Sequence, residues 1–345
     1  MNNKKWMLLI FSLIISLTAT LLFTGEVISS NAKLKPIGQF DRDHNKRVVF
    51  SVNEGDADVL YLKEPGYDVR KIAEGEEGTR LRSPVFMENG KVAYIQTNAN
   101  VLEEFQAENR TESMLIEVDP YSRKQIELLA VNGEITELVV GQETSELYLI
   151  ASAAITEPDR VSDDPPNQYD LYSYDLNSAN LEKLTEIDTY SMRSLVLDEE
   201  ESKAFVLMPD DYSNSSVDSM FEATDRVYEI SLSDDELISV VTDQKEEMVL
   251  SDVMWFSDDQ LIYQAVTNLH EGGNYMYDLI YFDTDLAKEG EALGINEAVL
   301  QPTVSRDGQS LLYMKEESAF MGSRVLGLFE YQLERGEERQ VYIDN

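Results

Sequence analysis

No cysteine occurs in the 345 residues, which removes disulfides, thiolate metal sites, cysteine nucleophiles and a thioether-linked lipid together. Histidine is nearly as scarce, with His44 and His270 the only two. The run His270-Glu271-Gly272-Gly273-Asn274 starts like a zinc-protease helix, but it has no second histidine and is broken by glycine, so that chemistry is rejected. There is no Gly-x-Ser-x-Gly nucleophile elbow either. Basic residues are outnumbered: 28 Lys and Arg face 66 Asp and Glu, for a formal net charge of −38. A field of that sign repels nucleic acid, which is excluded as a partner, and attracts cations or basic partners. The simpler account of the acidity is a hydrated, soluble surface in salty or alkaline surroundings. Disorder does not follow from the charge, since 43% of residues are hydrophobic and 18 are tyrosine. Beyond the amino-terminal segment no stretch shows a long, capped helix with a period of about 3.6 residues, and the chain reads as all-β.

What is present begins with MNNKKWMLLIFSLIISLTATLLFTGE. Trp6 to Phe23 is eighteen residues without a charge, preceded by Lys4 and Lys5. That length just crosses a bilayer as a helix, and the lysines favour a cytoplasmic amino terminus. The expected organisation is a membrane anchor at 1–23, a stalk at 24–35 and an ectodomain at 36–345. The chain would then be a single-pass protein of the cell membrane with its bulk outside the cytoplasm. The competing reading is a cleaved signal peptide, with small residues at Ser30-Asn31-Ala32. Under both readings the bulk is exported, and an exported chain without disulfides fits a bacterial envelope.

The ectodomain repeats itself. QPTVSRDGQSLLYM (301–314) runs from proline through apolar residues and a polar glycine turn to a strand closed by an aromatic. SPVFMENGKVAYIQ (83–96) and SDVMWFSDDQLIYQ (251–264) keep that order, and PIGQFDRDHNKRVVF (36–50) has it with a longer turn. LVVGQETSELYLI (138–150) and SLVLDEEESKAFVL (194–207) are copies without the proline. The closing aromatics are Phe50, Tyr94, Tyr148, Phe205, Tyr263 and Tyr313. Each copy is followed by a half-buried alternation beginning at Leu60, Ile116, Tyr172, Tyr228, Ile280 and Phe329. A fourth, charge-interleaved strand comes next, as at VRKIAE (69–74) and KQIELLA (124–130), with a poor match near GEALGI (290–295). Four strands over about fifty residues is the length of a β-propeller blade. The expectation is an all-β, six-bladed β-propeller of four-stranded blades behind an N-terminal transmembrane helix. A pair of β-sandwiches is the competing architecture.

Pro302-x-x-Ser305-x-Asp307-Gly308-x-x-Leu311-Leu312-Tyr313 resembles the PD40, or WD40-like, repeat of TolB-type propellers. Pro84 to Tyr94 is a partial match, with Asn89-Gly90 in place of the usual Asp-Gly, and the other four copies depart from the pattern. The resemblance implies a six-bladed extracytoplasmic propeller. It implies no activity, because propellers host enzymes and binding platforms alike.

The long, polar connections between second and third strands are expected to gather at one mouth of the channel, where functional loops belong. Asp163, Asp164, Asp210 and Asp211 would give that mouth a carboxylate-rich rim, with His270 beside them. Phe105, Tyr212, Phe221 and Phe320 are candidate partner contacts, whose simpler role is to pin the loops to the barrel. On the other face, Asp41, Asp43 and Asn45 space three oxygen donors as a calcium loop does. Lys46 replaces the required glycine there and Val52 the closing glutamate, so an ordinary solvated turn is preferred and calcium is the one cofactor considered. The first functional reading is a non-enzymatic binding module for a protein or cell-envelope ligand, tied to the membrane by its N-terminal helix. The alternative is a carboxylate-based hydrolase or lyase, calcium-assisted, acting on carbohydrate or lactone substrates.

Overall fold

Apolar residues two apart become strands all along the ectodomain, as a half-buried pleated ladder requires. The computed structural model describes residues 36–98, 112–141, 145–152, 168–212, 223–232, 238–242, 248–257, 259–269, 275–295, 297–318 and 324–341. Its strands form six sheets, each made of four strands consecutive in the chain and paired antiparallel. Blade 1 is β1 (Pro36–Arg42), β2 (Val48–Glu54), β3 (Ala57–Lys63) and β4 (Arg70–Glu74). Blade 2 is β5 (Thr79–Phe86), β6 (Val92–Asn98), β7 (Glu112–Val118) and β8 (Gln125–Asn132). Blade 3 is β9 (Ile135–Val140), β10 (Glu146–Ser152), β11 (Tyr169–Asp175) and β12 (Asn180–Lys183). Blade 4 is β13 (Arg193–Leu197), β14 (Lys203–Pro209), β15 (Asp225–Ser231) and β16 (Ile238–Val240). Blade 5 is β17 (Leu250–Ser257), β18 (Gln260–Val266), β19 (Tyr277–Asp283) and β20 (Lys288–Ala292). Blade 6 is β21 (Val299–Val304), β22 (Ser310–Ser318), β23 (Arg324–Gln332) and β24 (Glu337–Val341). The expected six-bladed propeller of four-stranded blades is therefore what the chain forms.

All six closing aromatics fall on the second strand of their blade and are at most 4% exposed. Five of them sit in clusters that fill the space between neighbouring sheets. Tyr94 joins blades 1 and 2, Tyr148 blades 3 and 4, Phe205 and Tyr263 blades 4 and 5, and Tyr313 blades 5 and 6. Each buried ring contributes about 2 kcal/mol of transfer free energy. The third strands start earlier than the apolar alternation suggests, because the ladder runs on through buried polar residues such as Asp58, Asp170 and Asp278. The fifth outer strand is β20, two residues before GEALGI, since left-handed Ala287 (φ 47°) closes the preceding turn early.

The Pro-Ser-Asp-Gly motif has a physical account. Pro302 lies where the β21–β22 pairing slips between Leu300 and Thr303, so its missing N–H costs no ladder bond. Asp307 accepts from the Ser305 hydroxyl (2.6 Å) and from the Gln309 N–H (3.1 Å), and Gly308 takes φ +65° to close the turn. Among the described residues, first and last blades share no strand, and the ring closes through side chains. The Arg42 guanidinium meets Glu330 at 2.8 Å and Arg306 meets Asp41 at 3.2 Å. Glu330, 3% exposed, also accepts from Ser310 and Arg339. Residues 1–35, which carry the expected anchor and stalk, lie outside the described residues; among the described residues no helix is long and apolar enough to cross a membrane.

Candidate functional site

The inner strands β1, β5, β9, β13, β17 and β21 wall a central cavity of about 1050 Å³. It reaches the surface among the turns joining first and second strands, where exposed His44, Glu88 and Glu199 line it. One polar residue from each blade faces into it: Gln39, Ser83, Glu137, Ser194, Asp252 and Gln301. Every inner strand pairs irregularly with its neighbour near this level, as a β-bulge does, and Ser83, Ser194 and Gln301 take left-handed φ values of 47°, 59° and 50°. A bulge frees backbone N–H groups from the ladder and re-aims the side chain. The freed groups find partners inside the ring.

Glu137 accepts the N–H groups of Ser194 and Leu195, both at 2.7 Å, and so ties blade 3 to blade 4. The Ser83 hydroxyl donates to Gln39 Oε1 at 2.5 Å, tying blade 2 to blade 1. Asp252 accepts its neighbour Val253 N–H at 2.9 Å and is bonded by the Ser194 hydroxyl. Burial pushes the Glu137 carboxyl above the ordinary glutamate range, against the pull of the two amides and of Arg193. Burial also raises Asp252, to about 7, with Ser194 and Arg193 opposing the rise and the nearby Glu137 charge adding to it. The wall therefore holds two interacting carboxyls, one of them half-titrated near neutral pH. Gln301 Oε1 is buried without a protein partner.

The sequence-expected residues divide between the two ends of the ring. Asp41 lines the cavity, but its carboxylate accepts from the Arg42 N–H (2.7 Å), the Phe86 N–H (2.7 Å) and Arg306 (3.2 Å). Asp43 accepts from the Arg47 backbone (2.8 Å) and side chain (2.6 Å), with Asn45 at 3.4 Å. The donor atoms a calcium ion would use are thus engaged by cations and amides, and among the described residues no three acidic or histidine side chains gather to hold a metal. At the opposite end, Asp210 holds the base of its loop through Thr224 N–H (3.1 Å) and Arg226 (3.2 Å). Asp211 accepts from Tyr190 (2.6 Å), and Tyr212 packs edge-on to Tyr228 at 5.4 Å. Tyr212 is partly buried there against the cluster between blades 3 and 4. Phe105, Asp163, Asp164, Phe221, His270 and Phe320 lie outside the described residues.

Sequence reasoning placed the ligand face on the loops between second and third strands, whereas the cavity opens at the other end. It also passed over Glu137 and Asp252. The available signal was a lone acid inside an apolar inner strand, ITELVV and LSDVMW.

No protein-family model matches the sequence, and no curated protein matches it. Solved structures match in fold. TolB from Acinetobacter baumannii is 11% identical with a TM-score of 0.55, over 85% of this chain and 62% of that one, so the chain spans less than two thirds of TolB. An oligogalacturonate lyase from Vibrio parahaemolyticus is 11% identical with a TM-score of 0.58, over 90% of this chain and 79% of the lyase. The β-propeller domain of the Trilobed protease from Pyrococcus furiosus, described as having an open velcro topology, is 13% identical with a TM-score of 0.50, over 87% and 79%. At such identities the likeness is one of fold alone.

Proposed function

We propose that this six-bladed propeller is a membrane-anchored, extracytoplasmic binding module that takes a protein or cell-envelope ligand at the turn-lined mouth of its channel. One observation carries the reading. β1 runs from Pro36 to Arg42 and ends at the turn that lines the mouth, so the chain enters the ring at the opposite end. A tether at the amino terminus then leaves the mouth facing outward. The uncharged run Trp6–Phe23 behind Lys4 and Lys5 supports that tether. The ring side chains bond chiefly to one another and to backbone, which suits a rigid receptor wall.

A second reading, carboxylate chemistry on a carbohydrate or lactone, is favoured by the Glu137 and Asp252 pair, since a carboxyl poised near 7 suits proton transfer. The two are separated by placing a photo-reactive benzoylphenylalanine at Glu88 or Glu199 of the full-length protein in its source cell. Binding predicts crosslinks to one dominant partner from both mouth positions and none from Tyr212. Turnover of polygalacturonate or a lactone by the purified protein, abolished by Asp252→Asn and altered by EDTA, would instead establish the enzyme.

A further inference from the structure

Two adjoining turns between third and outer strands, on blades 1 and 2, carry the two most exposed tyrosines among the described residues, Tyr67 at 70% and Tyr121 at 60%. Tyr121 is exposed yet held. Its hydroxyl donates to Glu64 (2.9 Å) and accepts from Arg47 (3.2 Å), and its ring lies against the Arg70 guanidinium at 4.3 Å. Tyr67 is engaged only through its backbone, which donates to Glu64 O (3.1 Å) and accepts from Lys63 Nζ (2.7 Å). Fixing a side chain costs conformational entropy, so an aromatic already fixed at the surface meets a partner at less cost.

The charge around these rings departs from the rest of the chain. Arg47 and Arg70 are matched by Asp43 and Glu64, but Lys63, Arg123 and Lys124 make no ion pair among the described residues. The same two turns carry two acids that make no ion pair among the described residues, Asp119 and exposed Asp68, so three such cations stand against two such acids. Asp119 is ionised and accepts the N–H groups of Tyr121 and Ser122, both at 2.8 Å. Residues 36–132 hold 12 basic and 18 acidic side chains, whereas residues 133–345 hold 12 basic and 47 acidic. At physiological salt the distant acids are screened beyond about 8 Å, so an approaching anion responds to the local cations.

We infer that this patch is a docking surface for an acidic segment of a partner protein, with Tyr67 and Tyr121 as anchors and Lys63, Arg123 and Lys124 facing its carboxylates. Tyrosine and arginine dominate protein-interface hot spots, whereas a phosphate polymer or a lipid surface is met by cations without need of the rings. The inference deepens the binding-module reading and rests on it. The patch lies on the same end of the ring as the cavity mouth, because both kinds of turn close strand pairs at that end.

The test uses the full chain in phosphatidylcholine nanodiscs and a fluorescent peptide alternating glutamate with leucine, read by anisotropy at physiological salt. Tyr67→Ala should weaken binding about tenfold, the equivalent of about 1.4 kcal/mol, and Lys63→Glu with Lys124→Glu should weaken it further. Tyr67 makes no side-chain bond, so its variant should melt with the wild type. Inorganic polyphosphate or phosphatidylglycerol vesicles binding as tightly, with Tyr67→Ala inert, would overturn the inference. Benzoylphenylalanine at Tyr67 then separates the two claims. Crosslinks from Glu199 alone sink the patch and spare the binding module, crosslinks from neither position sink both, and crosslinks from Tyr67 to an acidic peptide support both.

Discussion

Odd and even blades solve the same problem by different means. In blades 1, 3 and 5 a buried aspartate near the start of the third strand, Asp58, Asp170 or Asp278, reaches into the crossing toward the next blade. Asp58 takes the Leu81 N–H at 3.1 Å. Asp170 takes Ile187 (2.6 Å) and Asp188 (3.2 Å), and Asp278 takes Gly294 (3.2 Å) and Ile295 (3.1 Å). Blade 2 has a hydroxyl at the same place: Ser113, second residue of its third strand, accepts from Ile135 at 3.1 Å. The even blades are also those whose inner strands carry the left-handed Ser83, Ser194 and Gln301. The repeat is thus one of blade pairs, and part of the acidity is internal carpentry, since a carboxylate satisfies two or three amides where a hydroxyl satisfies one.

The largest effect should come from breaking an odd-blade staple. Asp170→Ala leaves the Ile187 and Asp188 amides without their side-chain acceptor and removes the most buried of the three carboxylates around the Lys183 ammonium, and should cost about 4 kcal/mol. Ser113→Ala, the blade 2 counterpart, should cost about 1 kcal/mol; urea unfolding of the two variants measures the difference, and equal losses would erase the distinction. Next is the junction between blades 6 and 1, which has no covalent crossing. Glu330→Ala strands Arg42 and should cost about 3 kcal/mol with a steeper salt dependence than any staple variant.

A smaller effect carries a pH signature. Asp252 titrates near 7 when folded and in the ordinary aspartate range when unfolded, so between those values the native state holds the extra proton. Stability falls as pH rises across that window and is level above it. Asp252→Asn, neutral throughout, should match the wild type near pH 4 and exceed it by about 2 kcal/mol at pH 8, a value discounted for water reaching the channel. A gain independent of pH would remove Asp252 as its source. The smallest test concerns turn chemistry. Blades 3 and 5 place Ala179 (φ 54°) and Ala287 (φ 47°) where blade 6 has Gly336 (φ 63°). Ala179→Gly and Ala287→Gly should each stabilise by about 0.5 kcal/mol, and Gly336→Ala should do the reverse, in thermal melts.

The blade order was legible because its markers are apolar and periodic: six closing aromatics and a two-residue alternation survive without knowledge of neighbours. The staples were not, because Asp58, Asp170 and Asp278 look like surface acids until the crossing folds over them. The channel ring failed for a related reason. Bulges break the alternation in each inner strand, so Glu137 and Asp252 register as flaws in a pattern. The setting of Tyr121 was not legible either, because Arg47 and Arg70, which hold its hydroxyl and ring, lie 74 and 51 positions away in the chain.

Among the described residues each sheet of the ring is contiguous in sequence, and none borrows a strand from the far terminus. A chain emerging amino end first can complete its sheets in order of synthesis, each waiting only on the one after it. The final handshake, Arg42 with Glu330, spans 288 positions and must wait for the last sheet, so assembly has a defined closing step, and a nascent chain halted before it would remain an open arc.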